Sequence, residues 1–349
     1  MLEVVKQTII WGKRKLYFLR GSPLYGYIGF GVIDRGTNVL QVRPTTLCLL
    51  NCIFCSVDAG PKSKNRTAEF IIDHLSIYNA TIQVAKYKGG GVEALIDTIG
   101  EPFTYPHLVD LVKLLKNSVF IRSVAVETHG ALLSKEIINK LEEAGLDRIN
   151  LSIDTLDKEK AKYLQGTSWY NLDKVIELAE YIVKNTKIDL HVTPVWVPGI
   201  NDEDVINVVK WAYRIGAGKK WPPVTIQKYN VHKYGRKIPG IKPLTWSSFW
   251  RKIKEIEEEI GIRVTWTMDE WGMRRTKKYP CPYNVGDKII AEVLFPGVFR
   301  GEYIGVIKDS RGEWLVTIPA RRIKIGTQYV AEIISNKDSL LIARIIGKL

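Results

Sequence analysis

Cys48, Cys52 and Cys55 stand in the run C-L-L-N-C-I-F-C, and the whole chain has only four cysteines. Thiolates at this C-x3-C-x2-C spacing on a loop can hold three irons of a [4Fe–4S] cluster. The fourth iron is then left without a ligand from the run, and an open iron is a place where a small molecule binds and is reduced. The competing chemistry is a structural zinc site. Zinc asks for four ligands, commonly as two spaced pairs, and only distant Cys281 or a histidine could complete it. The tight triplet favours the cluster.

The elements around the triplet must place it. A strand is expected at 38–43, just before the cysteines. Further strands are expected at 92–98, 122–127, 148–153, 188–196 and 223–229. Helical periodicity is read at 67–87, 106–117, 134–144, 171–184, 202–214 and 246–260. Ser134 ahead of Lys135-Glu136, and the acids of Asn201-Asp202-Glu203, support two helix starts. The alternation gives about six βα units and hence an α/β fold with a parallel sheet. Six are too few for a closed eight-unit barrel, so a partial (β/α)6 TIM-like barrel is expected over 36–278. Functional residues should then sit on the loops after the strands. Residues 1–35 read as an N-terminal β extension, with runs at Leu16–Leu19 and Tyr25–Ile33. Tyr279-Pro280-Cys281-Pro282 opens a linker at 279–283. Residues 284–349 read as five short strands of a small β-barrel.

The cysteine run, with the aromatic Phe54 before its third cysteine, resembles the radical S-adenosylmethionine (SAM) signature. The likeness extends over about residues 36–230. It implies that Cys48, Cys52 and Cys55 hold a [4Fe–4S] cluster and that SAM is the small molecule on the open iron. The second strand ends in Ile99-Gly100-Glu101-Pro102, similar to the family's Gly-Gly-Glu turn. Backbone carbonyls around Ile99, Gly100 and Glu101 would bind the SAM amino group. The third strand ends in Glu127-Thr128-His129-Gly130, where the family often has Thr-Asn-Gly. On the fourth strand Ser152 and Asp154 are candidates for the SAM ribose or carboxylate. Val197-Pro198-Gly199 lies at the height where the family packs the adenine. The reaction implied is reductive cleavage of SAM to a 5′-deoxyadenosyl radical, with an electron donor such as a ferredoxin or flavodoxin.

The segments G-D-K-I-I-A-E-V-L, G-E-Y-I-G-V-I-K and I-G-T-Q-Y-V-A-E-I-I resemble a TRAM domain, an OB-like barrel that binds RNA. RNA, with tRNA foremost, is therefore the expected partner. Charge agrees: the formal net charge is +14, which favours an anionic partner. Between Asp204 and Glu255 there is no acidic residue, while lysines, arginines and aromatics alternate. Trp211 and Trp250, on helices, are expected in the core. The loop 228–242 is the better contact candidate, through Lys228, Lys233, Tyr234, Arg236, Lys237 and Lys242. Loop 61–66, P-K-S-K-N-R, could add contacts, and the barrel offers Arg300, Arg321 and Arg322. The alternatives are a radical SAM enzyme acting on a protein or small metabolite, with the barrel structural, or a non-enzymatic RNA-binding protein with a structural metal.

Cysteine usage narrows the chemistry. Methylthiotransferases carry a second cluster on three further cysteines, which this sequence lacks. Cobalamin-dependent members need a large N-terminal domain, and only about 40 residues precede the core. Cys281 is a candidate catalytic thiol or a plain linker cysteine. No stretch is apolar enough to span a bilayer, the N-terminus does not read as a signal peptide, and a cytoplasmic location is expected.

Overall fold

The computed structural model describes all residues, Met1–Leu349. The chain divides into two compact units. One holds Met1–Leu47, Lys64–Ser123 and Arg275–Leu349, and the other holds Cys48–Ser63 and Val124–Arg274.

The first unit contains β1 (Glu3–Ile10), β2 (Arg14–Arg20), β3 (Gly31–Asp34), β4 (Val39–Arg43), β5 (Ala68–Ile72), α1 (His74–Tyr87), β6 (Val92–Ile96) and α2 (Leu108–Lys116). β1 and β2 form a hairpin. Its turn puts Trp11 and Gly12 both at positive φ, as hairpin turns favour. β2 then pairs in parallel with β5. The run 67–87, expected as one helix, is therefore a strand followed by a helix. All five residues of Ala-Glu-Phe-Ile-Ile are buried, and Asp73 ends the strand by capping α1, accepting from the Ser76 N–H. β3 is antiparallel to β4, and β4 is parallel to β6.

Buried Glu69 on β5 is bound by Arg14 at 2.9 Å and by Arg66 at 2.9 Å. Arg66 is enclosed, so the contact expected of loop 61–66 does not include it.

The second unit begins within β7 (Ile121–Thr128). It continues with α3 (Lys135–Glu143), β8 (Arg148–Leu151), α4 (Lys158–Leu164), α5 (Leu172–Asn185), β9 (Asp189–Val192), β10 (Val195–Trp196), α6 (Asp202–Ile215), β11 (Gln227–Lys228) and α7 (Trp246–Ile260). β7, β8 and β9 are parallel neighbours. The strand order is β3-β4-β6 in the first unit and β7-β8-β9 in the second. The strand expected at 188–196 is broken, because Pro194 has no N–H to offer the ladder. The strand expected at 223–229 shrinks to β11, paired with β10, plus a bridge from Val224 to Val192. The parallel pair β4 and β6 in the first unit and the parallel trio β7, β8 and β9 in the second thus stand where six βα units were expected. α4 was not foreseen.

The remaining strands belong to the first unit. β12 (Lys288–Pro296), β13 (Glu302–Asp309), β14 (Gly312–Pro319), β15 (Gln328–Ser335) and β16 (Ile342–Lys348) close a barrel in the order β12-β13-β14-β16-β15. It is bonded to its own unit. The Tyr27 hydroxyl donates to Glu302 at 2.8 Å and accepts from the Val298 N–H. Leu315 N–H donates to the Tyr25 carbonyl and Leu341 N–H to that of Gly26. Gly26 sits at φ 100°, where a Cβ would collide with the Leu315 carbonyl. No helix is long and apolar enough to cross a membrane.

Candidate active site around the cysteine loop

The cysteine loop belongs to the second unit, and Cys48 and Cys52 are buried while Cys55 is half-buried. Two neighbours hold it. The first is the C-terminal turn of α4. Asn51 N–H donates to the Gln165 carbonyl at 3.0 Å and Ile53 N–H to the Leu164 carbonyl at 2.9 Å. These are the carbonyls a helix end leaves without intrahelical partners. Gly166 follows at φ 56°, so close that a Cβ would overlap the Asn51 carbonyl.

The second neighbour is the basic loop 228–242. Arg236 N–H donates to the Cys55 carbonyl at 2.8 Å. Its guanidinium donates to the carbonyls of Cys52 at 2.8 Å and Ala59 at 2.5 Å, and to the Asp58 carboxylate at 2.8 Å. Gly235 lies against the Ser56 backbone, with no room for a side chain. Arg236 was expected to face RNA. Its guanidinium is instead committed to shaping the cysteine loop.

The thiols sit in one another's fields. Burial pushes the Cys52 thiol well up, and Cys55, Cys48 and Asp154 push it further, while Arg236 opposes them. The Ala59 N–H points at the Cys55 sulfur at 3.2 Å. Nowhere do three or more His, Cys, Asp or Glu side chains converge as around a single metal ion. A cluster does not ask for that, since each sulfur takes its own iron. Three thiols on one enclosed loop, one of them already facing an N–H, fit such a cluster.

The strand-end residues of the second unit gather near the loop. His129 Nε2 lies 3.9 Å from the Cys52 sulfur. Burial lowers the His129 pKa to about 4, so its ring is neutral at neutral pH. Thr128 accepts from the Gly130 N–H at 2.9 Å, and its carbonyl takes the Ser152 N–H at 2.8 Å. Ser152 and Thr193 hydroxyls are 3.1 Å apart. Asp154 is buried, and burial raises its pKa to about 7. One carboxylate oxygen accepts from the Val195 N–H at 2.8 Å and the other from the Gln165 amide at 2.9 Å. Asp154 therefore fixes backbone around the site. Asn201 does not cap α6 with its side chain. Its amide holds the Asp154 and Val195 carbonyls and accepts from the Val197 N–H at 2.8 Å.

The turn at 99–101 belongs to the first unit. The Ile99 carbonyl accepts from Arg66. The Glu101 carbonyl accepts from Thr104, and its carboxylate from the Phe103 N–H. Gly100 packs on the Thr46 and Leu47 carbonyls, where any side chain would collide. Two of the three carbonyls expected to face SAM are thus already engaged.

The remaining expected residues disperse. Lys228 donates to Asn230 at 2.7 Å and lies over the Trp246 ring. Lys233 lies over Tyr234, and Lys237 and Lys242 are exposed. In the first unit Arg300 donates to the Lys64 carbonyl, while Arg321 and Arg322 are exposed. The Cys281 thiol, raised by burial, faces the Tyr283 carbonyl at 3.7 Å. Trp211 is buried, but Trp250 is 49% exposed and stacks on Trp246. The buried face of α7 is Phe249, Ile253 and Ile256, and Trp246 and Trp250 lie off it.

The sequence alone points neither to Gln165 nor to the part of Arg236 in the cysteine loop. Both reach the cysteines only through tertiary packing. The one local hint was Gly166 after an Asp157-capped helical turn.

Residues 42–212 match the family described as Radical SAM superfamily. An uncharacterized protein of Methanocaldococcus jannaschii, MJ0103, is 35% identical over 96% of this chain and 81% of its own length. A probable GTP 3′,8-cyclase of Methanococcus aeolicus is 29% identical over 70% of this chain and 74% of its own. Several other GTP 3′,8-cyclases are matched over about half their length. Among solved structures, Streptococcus suis SuiB superposes with a TM-score of 0.50 at 19% identity, over 67% of this chain and 47% of that one. At that identity the likeness shows a common α/β fold.

Proposed function

This chain belongs to the radical SAM superfamily through its domain at residues 42–212, and from that premise we propose that it directs SAM-derived radical chemistry onto RNA, tRNA foremost. When bound, the cluster and SAM supply a strong one-electron reductant and a hydrogen-abstracting radical. Cys48, Cys52 and Cys55 hold the cluster. The loop contacts of Arg236 and Gln165 position Cys52 and Cys55, and burial keeps water from Cys48 and Cys52. A ferredoxin or flavodoxin would supply the electron.

The observation that carries the RNA reading is the docking of the basic loop on the cysteine loop through Arg236 and Gly235. It brings Lys233, Lys237 and Lys242 to the cluster's own unit, where phosphates would be held close to the chemistry. The exposed pair Trp246 and Trp250 offers aromatic faces to unstacked bases. The five-strand order of the C-terminal barrel supports an OB-like, TRAM-type RNA module with Arg321 and Arg322 exposed.

A second reading is a free nucleotide as substrate. The names of the cyclase relatives favour it, and so does a barrel bonded to its own unit through Tyr27 and Glu302, which suits a structural role. Mass spectrometry of RNA nucleosides from a strain lacking the protein separates the two. A modified nucleoside should disappear. Unchanged RNA, together with SAM cleavage stimulated by GTP and not by RNA, would establish the second reading instead.

A further inference from the structure

The Gln165 side chain closes on Cys52 where α4 meets the cysteine loop. The Cys52 sulfur lies 2.8 Å from Gln165 Oε1, with the thiol donating. Gln165 Nε2 donates to Asp154 Oδ2 at 2.9 Å, and Asp154 Oδ1 accepts from the Val195 N–H. Cys52, Gln165 and Asp154 are all buried. This direction of bonds suits a protonated thiol. The form that ligates iron is the thiolate, and an amide oxygen facing it at that distance repels it.

The amide carries a donor on its other corner. A half-turn about its terminal bond brings Nε2–H to the sulfur and Oε1 to Asp154. Oε1 then meets a donor only if Asp154 is a carboxylic acid, with Oδ2–H donating. The Val195 bond to Oδ1 is untouched by this exchange. We propose that Gln165 is a positioning residue for the loaded cluster: it donates Nε2–H to the Cys52 sulfur, with protonated Asp154 locking the amide in that sense. Burial of Asp154 favours its acid form. The bond joins the Ala59 N–H already aimed at Cys55. Hydrogen bonds to cluster sulfurs stabilise the reduced state and so raise its reduction potential.

The test is an EPR-monitored redox titration of the anaerobically reconstituted full chain. Gln165→Leu removes the donor and should move the midpoint to more negative potential. Asp154→Asn keeps an oxygen for Val195 and offers a permanent N–H to Gln165 Oε1. It should leave the midpoint at or above that of the unmodified chain. An unchanged midpoint in Q165L overturns the proposal. So does a D154N midpoint shifted in the negative direction, which is what general loosening of the loop would give. If Q165L retains no iron, the D154N midpoint decides alone.

Discussion

Arg236 and Cys52, 184 residues apart in the chain, meet through a 2.8 Å hydrogen bond from guanidinium to carbonyl. The same guanidinium reaches Ala59 and buried Asp58. One side chain from the basic segment thereby fixes three points of the cysteine loop, in the planar fork geometry that arginine offers and lysine does not.

Replacing Arg236 by alanine should strip these bonds and take the guanidinium from buried Asp58. Removing one partner of a buried pair costs about 3 kcal/mol or more, reduced somewhat here because Arg236 is 17% exposed. We expect a lower thermal midpoint and iron lost faster to a chelator. R236K should recover only part of the loss. A variant with unaltered iron retention would show that the clamp does not shape the site.

Gly166→Ala places a Cβ on the Asn51 carbonyl at a φ of 56°. Strain of that kind costs about 1–3 kcal/mol, and relief requires the loop to move off α4. Iron stoichiometry after reconstitution should fall, while far-ultraviolet circular dichroism stays close to that of the unmodified chain.

Asp154 gives a pH signature in the metal-free chain. Its folded pKa, about 7, lies above the ordinary 3.8. The folded state therefore keeps this proton longer than the unfolded state. Keeping Asp154 buried begins to cost stability as pH rises past about 4, and the cost is complete above about 7. Its upper bound is on the order of 4 kcal/mol. The stability of Asp154→Asn relative to the unmodified chain should grow across that window and then level off, as read by urea unfolding at stepped pH. A difference that does not vary with pH would contradict the raised pKa.

Reversing Lys233, Lys237 and Lys242 to glutamate should weaken RNA binding across sequences. The slope of log affinity against log salt should fall by about 1 for each phosphate that a lysine no longer neutralises. An unchanged slope would remove this loop from the RNA-binding surface.

The cysteine loop was legible as a candidate site because three thiols sit within one short run. Apart from α4 and the break at Pro194, the strand-helix alternation at 122–215 was legible too, since those elements carry their own periodicity and several carry caps. β5 was not. Ala68–Ile72 runs into α1 with continuous apolar spacing, and only its pairing with β2, a partner distant in sequence, makes it a strand. The long strand expected at 188–196 failed at Pro194. Gln165 looked like an ordinary end of a polar helix, and Arg236 like one more base in a basic loop. What gives each its role is a carbonyl or sulfur brought in by the fold. Trp250 was expected in the core because it is large and helical, but the face of α7 that packs is set by Phe249, Ile253 and Ile256.

The most direct measurement is 5′-deoxyadenosine formed by the anaerobically reconstituted chain given SAM and a strong reductant, alongside its iron content. We expect about four irons per chain and 5′-deoxyadenosine that depends on reductant and vanishes in Cys52→Ser. Zinc in place of iron, with no 5′-deoxyadenosine under any reductant, would contradict radical chemistry at the cysteine loop.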